Sequence, residues 1–460
     1  MWFLGIDIGT THVKAAGVTD DGTPLEPGRV RTPTGTVDGL ACHDAEEVWR
    51  AATALVARYA RTTAAPYGPL AGVAVASFGQ EESVPVDRRG RPLHPSPAWW
   101  ETRPERALDT ATAELLSSFE HYRVSGIRHR TDQTPERTAH LRRARPEVWR
   151  DTARWVDFCA FATHRMTGEW TAATSQITHS QCFDLATLAP DDRLMDRLGM
   201  DPGMFAPALP AGADAGAIRP DALPGVLLAP GARAVVGGHD QVVAARQAHA
   251  ADGARVLDSI GTSEYLMVLA DTYRPDRGAW ELGVDWERSW TPDGFVLGHP
   301  VPTGKVVQLL AELCYGGDFD ALFAGLAAAR PGALPGLSVR FHDASAAGAG
   351  LLTLDGLPAG ARPADVVRRC LDQLSDTAWE AVGEMCARAG TRAGSVALMG
   401  SLFRRPEMAG HRAGRWGVPL RVVPLAEPVA HGAALLARDA LAGPPAPPRP
   451  PAARTTQETP

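Results

Sequence analysis

The sequence predicts an α/β protein of two domains that share one plan and face a common cleft. Three observations lead there. A single hydrophobic core stops growing near roughly 250–300 residues, so a chain of 460 residues divides most naturally in two. The chain opens on a strand–turn–strand, in which the apolar run Trp2-Phe3-Leu4 leads into Gly5-Ile6-Asp7-Ile8-Gly9-Thr10-Thr11-His12-Val13-Lys14. A second strand–turn–strand echoes it at Asp258-Ser259-Ile260-Gly261-Thr262-Ser263, as two copies of one unit facing each other would.

The elements follow in order. Val13–Thr19 alternates as a second strand does, and Asp20-Asp21-Gly22 is a turn signal. Arg29–Thr32 completes a three-strand meander. Asp44, with Glu47 three residues on, caps a helix expected to run to Arg61. Leu70–Phe78 is continuous, small and apolar, which predicts a buried strand. Residues 104–150 mix Arg and Glu at helical spacing and read as solvated helices.

A second round begins at Ala234. Ala234–Gly238 ends a strand, and Gln241–His249 is a helix. Arg255–Ile260 and Tyr265–Leu269 are strands flanking the Gly261-Thr262-Ser263 turn. Asp365–Ala389 has the spacing of a long amphipathic helix, and Ser395–Met399 is a strand ending at Gly400-Ser401. Pro424–Pro428 is a loop, and Val429–Ala440 a helix of small residues that packs closely. The expected domains are 1–232 and 233–441. Pro and Ala dominate 442–460, which predicts a disordered tail.

Composition excludes several classes. A net charge of −7 and a pI near 6.1 argue against a nucleic-acid partner, which needs a basic stripe. The six cysteines form no CxxC pair, so neither a zinc site nor a redox motif is expected. No apolar run approaches the roughly 18 residues that span a bilayer. The chain opens almost directly on a structural strand, so no leader and a cytoplasmic location are expected.

The first hairpin has chemistry of its own. Gly9 allows a tight turn and close backbone approach. Thr10 and Thr11 place donors at its mouth. Asp7 ends a buried strand, where a carboxylate is costly without a partner or a task. Holding magnesium, directly or through water, is such a task. Lys14 is either a phosphate contact or a solvated strand residue. No GxxxxGK[ST] string occurs, so this is not a Walker loop.

Five further segments join it: Ser77-Phe78-Gly79-Gln80-Glu81-Glu82, Trp99-Trp100-Glu101-Thr102-Arg103, Gly237-Gly238-His239-Asp240-Gln241, the Gly261-Thr262-Ser263 turn and Gly400-Ser401-Leu402-Phe403-Arg404-Arg405-Pro406. In this order the set resembles the FGGY carbohydrate kinases of the actin/hexokinase/Hsp70 ATPase superfamily, with a xylulokinase-like cast, over residues 1 to about 440. The resemblance implies two RNase H-like domains, each a mixed sheet flanked by helices, with the active site in the cleft between them. It implies ATP and Mg²⁺ as cofactors and phosphorylation of a small sugar or polyol.

The roles carry over residue by residue. Asp240 stands at the family's catalytic aspartate and would be the general base, although it also suits a helix N-cap. Gln80, Glu81, Glu82, Trp100, Glu101, Arg103 and Asp240 are the implied acceptor contacts. An aromatic face covers sugar carbons, while a carboxylate and a guanidinium bind hydroxyls. Gly9, Thr10, Thr11, Lys14, Gly261, Thr262, Ser263, Gly400, Ser401 and Arg404 are the implied ATP contacts, with Asp7 for magnesium. Glu427 and His431-Gly432-Ala433-Ala434 match the family's closing region and read as packing.

Departures mark where the acceptor stays open. Glu101 replaces the usual Asp, Ser401 a second glycine and Ala173 an Asp. The stretch Ser338–Gly356 is compact. A ketose such as a pentulose is favoured as acceptor, with polyol, hexulose and cyclitol as alternatives. The histidines show no metal-ligand spacing, and His239 stands out only as the neighbour of the base. The oligomeric state is left open, a homodimer included. Two readings from other classes compete. A non-catalytic actin-like ATPase switch gives the GGHD string no role. A sugar-binding sensor needs lost chemistry, whereas Asp7, Thr10, Asp240 and Gly261 are all present.

Overall fold

The computed structural model describes residues 1–101, 107–261, 263–342, 350–425 and 427–442. Two six-stranded mixed sheets form its frame. The first contains β1 (Trp2–Ile8), β2 (His12–Thr19), β3 (Gly28–Arg31), β4 (Leu70–Ser77), β5 (Asp214–Ala217) and β6 (Leu228–His239), in the order β5-β6-β4-β1-β2-β3. The second contains β7 (Val256–Ile260), β8 (Glu264–Ala270), β9 (Asp285–Arg288), β10 (Phe295–Val301), β11 (Val396–Met399) and β12 (Leu420–Val422), in the order β9-β10-β8-β7-β11-β12.

The two orders match over five strands. In the first sheet β1 pairs antiparallel with β2 and β2 with β3, while β4 and β6 run parallel to β1; in the second β7 pairs antiparallel with β8 and β8 with β10, while β11 and β12 run parallel to β7. The two hairpins that echo each other in sequence therefore occupy equivalent places. Each sheet adds one antiparallel edge strand, β5 or β9. All seven residues of β1 are buried, because helices cover both faces of its sheet.

Helix α1 (Ala45–Tyr59) packs Val48, Ala52, Leu55 and Val56 onto the first sheet. Its cap is the expected Asp44, whose side chain accepts from Glu46 N and Glu47 N. It ends at Tyr59, two residues short of the expected Arg61, and widens into a π turn.

Two helices exchange domains. Helix α2 (Asp240–Asp252) leaves the end of β6 and packs Val242, Ala244, Ala245 and Ala248 on Leu257, Met267 and Met399 of the second sheet. Helix α3 (Pro363–Ala389) and helix α4 (Pro406–Trp416) cover that sheet's other face. Helix α5 (Pro428–Ala442) then returns to the first sheet, setting Ala433, Ala434 and Ala437 against Phe3, Val18, Ala74 and Val235. Helices α2 and α5 touch through Val243 and an Arg246–Asp439 ion pair at 2.5 Å.

The expected boundary between residues 232 and 233 falls within a strand. A division at 232/233 cuts β6, which pairs with β4 from Leu228 to His239 and belongs wholly to the first sheet. The chain crosses between domains at Asp240 and again before α5. Of the expected tail, 443–460 lie outside the described residues.

Candidate active site

The first hairpin delivers a charged cluster. Its register sets Asp7 directly opposite Lys14. Lys14 Nζ lies 3.1 Å from Asp7 Oδ2 and 3.1 Å from Glu427 Oε2, just before α5. The Asp7 carboxylate raises the Lys14 pKa against burial, with Glu427 adding to the rise, so the amine stays charged. Burial raises the Asp7 pKa against Lys14. Its second oxygen, Oδ1, is buried with no hydrogen-bond partner. A free carboxylate oxygen beside a turn of backbone amides is a donor that suits magnesium, alone or through water.

Thr32 fixes the hairpin tip. Its Oγ1 donates to Gly9 O at 2.6 Å, and its N–H to Thr11 O at 3.0 Å. Thr10 is half-buried and Thr11 exposed, open to a ligand at the turn.

The second hairpin turns at Gly261, whose N–H donates to Ser263 O at 2.9 Å. Thr262 lies outside the described residues. Gly400 presses on this hairpin. A Cβ there would sit 2.2 Å from Ile260 O, and its φ of +91° is one that L side chains avoid. Ser401 and Arg404 are exposed beside it. The acid of this hairpin, Asp258, faces inward onto Arg412 Nε at 3.3 Å, and burial holds it well above the carboxylate range.

Asp240 opens α2 at the C-terminal end of β6, the place where ligands meet parallel strands. Its side chain is 22% exposed, and His239 Nε2 lies 3.3 Å from Oδ1. Burial pushes its pKa up to about 6 against the pull of His239, with Asp7 and Glu81 adding to the rise.

Around Asp240 the structure gathers residues from both domains. His239 Nδ1 meets Glu287 Oε2 of β9 at 2.6 Å. Tyr265 OH donates to Glu287 Oε1 at 3.4 Å. His179, ending a short helix over 174–179, stacks obliquely on His239 with centroids 4.8 Å apart and pairs with Glu81 Oε2 at 2.9 Å. Burial opposes the His239 imidazolium, but Glu287, then Asp240 and Glu81, prevail and push its pKa up to about 10. Glu81 is held down at about 2 against burial by His179 and then His239. His179, His239 and Glu287 present donor atoms within 4.8 Å of one another, yet each imidazole already meets a carboxylate. The cluster is therefore described as two imidazole–carboxylate pairs.

Other expected contacts are bound within the protein. Glu82 is fully buried, takes His43 Nδ1 at 2.6 Å and accepts Trp99 N–H at 2.9 Å. Glu101 accepts Ala41 N–H at 3.0 Å. Gln80 is buried with Oε1 unpartnered. Trp100 is 42% exposed and edges onto His43, so its ring has a free face. Arg103 lies outside the described residues.

Sequence reasoning missed Glu287, His179 and the chemistry of Glu427. Glu287 sits in Asp285-Trp286-Glu287-Arg288, a strand whose four residues are all buried. Charges at that depth must be paired, which was the available signal. His179 and His239 are joined only by the fold.

A family model described as the N-terminal domain of the FGGY family of carbohydrate kinases matches residues 2–246. L-fuculokinase of Escherichia coli (strain K12) is 26% identical over 270 residues, 58% of this chain and 56% of that one. Gluconokinase of Bacillus subtilis (strain 168) is 22% identical over 309 residues, 66% of this chain and 58% of that one. The chain thus spans little more than half the length of the curated relatives it matches. The solved xylulose kinase of Rhodospirillum rubrum superposes with a TM-score of 0.83 at 21% identity, covering 96% of this chain and 92% of that one. At that identity the likeness establishes the fold.

Proposed function

The chain belongs to the FGGY family of carbohydrate kinases, and on that premise we propose that it transfers the γ-phosphoryl group of ATP to a hydroxyl of a neutral, polyhydroxylated acceptor. The observation that supports this most is the pairing of sites: a phosphate-type hairpin with an unpartnered buried carboxylate oxygen at the end of β1, and Asp240 at the C-terminal end of β6, both strands running parallel to β4 in one sheet.

In this reading the acceptor oxygen attacks the γ-phosphorus, the bond from that phosphorus to the β-bridging oxygen breaks, and the hydroxyl proton passes to Asp240. Loose phosphoryl-transfer transition states need positioning and charge balance more than a strong base. A carboxylate with a pKa of about 6 is ionised at neutral pH and able to accept that proton. Magnesium bound with the nucleotide would supply charge neutralisation, with Asp7 holding it. Lys14 and Glu427 keep Asp7 in place, and the turn at Thr10-Thr11 offers backbone amides to phosphates. Gly400, Ser401 and Arg404 border the nucleoside end.

Among the described residues around Asp240, Glu81, Glu287 and Asp240 outnumber His179 and His239 by one, which favours an acceptor without a carboxylate of its own. A ketose such as a pentulose fits, as do a hexulose, polyol or cyclitol, with the exposed face of Trp100 for its carbons.

The test is ADP release with Mg-ATP across pentuloses, hexuloses, polyols, cyclitols and gluconate, with mass detection of product. One neutral compound gaining a phosphate is the expected result. Turnover of gluconate alone would overturn the charge argument. A flat panel, with ATP binding demonstrated, would overturn the kinase reading.

A further inference from the structure

We propose that His239 is a positioning residue for Asp240: Glu287, reaching from the second domain, fixes the imidazole so that its Nε2–H holds the Asp240 carboxylate ionised and aimed. This rests on the kinase reading above and adds to it a residue of the acid–base apparatus.

The geometry has three parts. His239 is anchored through its backbone, because its N–H donates to Ser175 Oγ at 3.1 Å. Its ring is anchored through Nδ1, which meets Glu287 Oε2 at 2.6 Å, and Glu287 is itself steadied by Tyr265 OH. A carboxylate on Nδ1 sets the tautomer and the ring plane, and so aims the other nitrogen. That nitrogen, Nε2, lies 3.3 Å from Asp240 Oδ1.

The surroundings show why Asp240 needs it. The charged and titratable groups near this pair are Glu81 and His179 on one side, Glu287 and Tyr265 on β9 and β8, and Asp7 on β1. His179 is already spoken for by Glu81. Of the carboxylates, Asp7 and Glu81 both favour a proton on Asp240, and such a proton would abolish the base. His239 is the cation in contact that opposes them. The His239–Glu287 pair spans the domain junction, since His239 ends β6 and Glu287 lies in β9, so the imidazole has its anchor only while the two sheets are together.

The test compares His239→Asn and Glu287→Gln with wild type, using the acceptor identified by the panel. Removing the cation lets Asp240 take a proton more easily, so the acid limb of the kcat profile should move up by about one pH unit. The maximal rate should fall roughly tenfold or more, with KM for acceptor little changed. Glu287→Gln should shift the limb in the same direction by less, and Glu287→Asp should restore most of the rate. A raised KM with an unmoved limb would make His239 a substrate contact and overturn the proposal. Unchanged kinetics in both variants would overturn it as well. If His239→Asn fails to fold, Glu287→Gln decides alone.

If the wild type transfers phosphate to nothing, the kinase reading fails and the coupling is read directly. Side-chain ¹⁵N resonances of labelled histidine are titrated in wild type and in Asp240→Asn, with His239 assigned by its loss in His239→Asn. A His239 pKa that drops in Asp240→Asn supports the pairing, and an unmoved one refutes it.

Discussion

Asp7 and Asp240 are both carboxylates whose burial raises their pKa, and their neighbours suit them to the different roles proposed for them. Asp7 is pinned by the Lys14 cation at 3.1 Å and keeps one oxygen free, which is what a metal holder needs. Asp240 has an imidazole at 3.3 Å and remains partly open, which is what a base needs. Asp240→Asn keeps the shape and removes the proton acceptor. Transfer should fall by about 10²–10⁴-fold, while affinity for a non-hydrolysable ATP analogue, measured by calorimetry, stays within a few-fold of wild type. Near-full activity would remove Asp240 from its role. The pH dependence follows with its sign: the base works ionised, so kcat/KM should decline as pH falls through about 6, and a profile flat down to pH 5 would contradict this assignment.

At the scale of elements, the exchange of α2 and α5 determines which residues can be small. Gly5 in β1 lies under α5, where a Cβ would stand 1.8 Å from Ala430 O and 2.5 Å from Ala434 N. Those two atoms are a helical hydrogen-bonding pair, so Gly5→Ala would wedge the helix apart. A loss of about 1–3 kcal/mol is expected, read as a lower midpoint in denaturant unfolding, and an unchanged midpoint would mean that α5 yields freely. The sequence already showed that α5 consists of small residues, and both hairpins, α1 and its Asp44 cap were legible, because each rests on neighbours in the chain. Strand β9 was not. Its burial on an edge comes from docking of residues 122–130, where Trp286 N–H donates to Gly126 O and Tyr122 OH to Val284 O. No local pattern encodes such a contact. The site divides the same way: Asp7, Lys14 and Asp240 stand in recognisable strings, whereas Glu287 reaches His239 only through the fold. Glu82 and Glu101 sat in the expected segment, but their carboxylates serve His43 and the backbone.

For the whole molecule, the same two helices form the joint. Each domain's sheet is covered by a helix that the other domain's last strand feeds, so the domains are interlocked, and the α2–α5 contact is where a hinge is expected. On the opposite side the junction is mixed: Arg130 Nη1 meets Asp285 Oδ2 at 2.7 Å, Arg128 N–H donates to Asp285 Oδ1 at 3.0 Å and His239 meets Glu287, beside an apolar cluster in which Tyr122 and Leu185 join Trp286 and Phe295. The polar contacts of this seam open at less cost than the apolar ones, because water can replace their partners. Closure should then depend on ligands at both ends of the cleft, and should exclude the water that would otherwise take the phosphoryl group. In small-angle scattering the radius of gyration should contract when an ATP analogue, magnesium and acceptor are all present, and less with either ligand alone. Arg130→Ala should weaken the seam and raise acceptor-independent ATP hydrolysis relative to transfer. If the radius is constant across all four conditions and Arg130→Ala leaves that ratio unchanged, the seam is a fixed interface, and Glu287 contacts His239 whether or not substrate is bound.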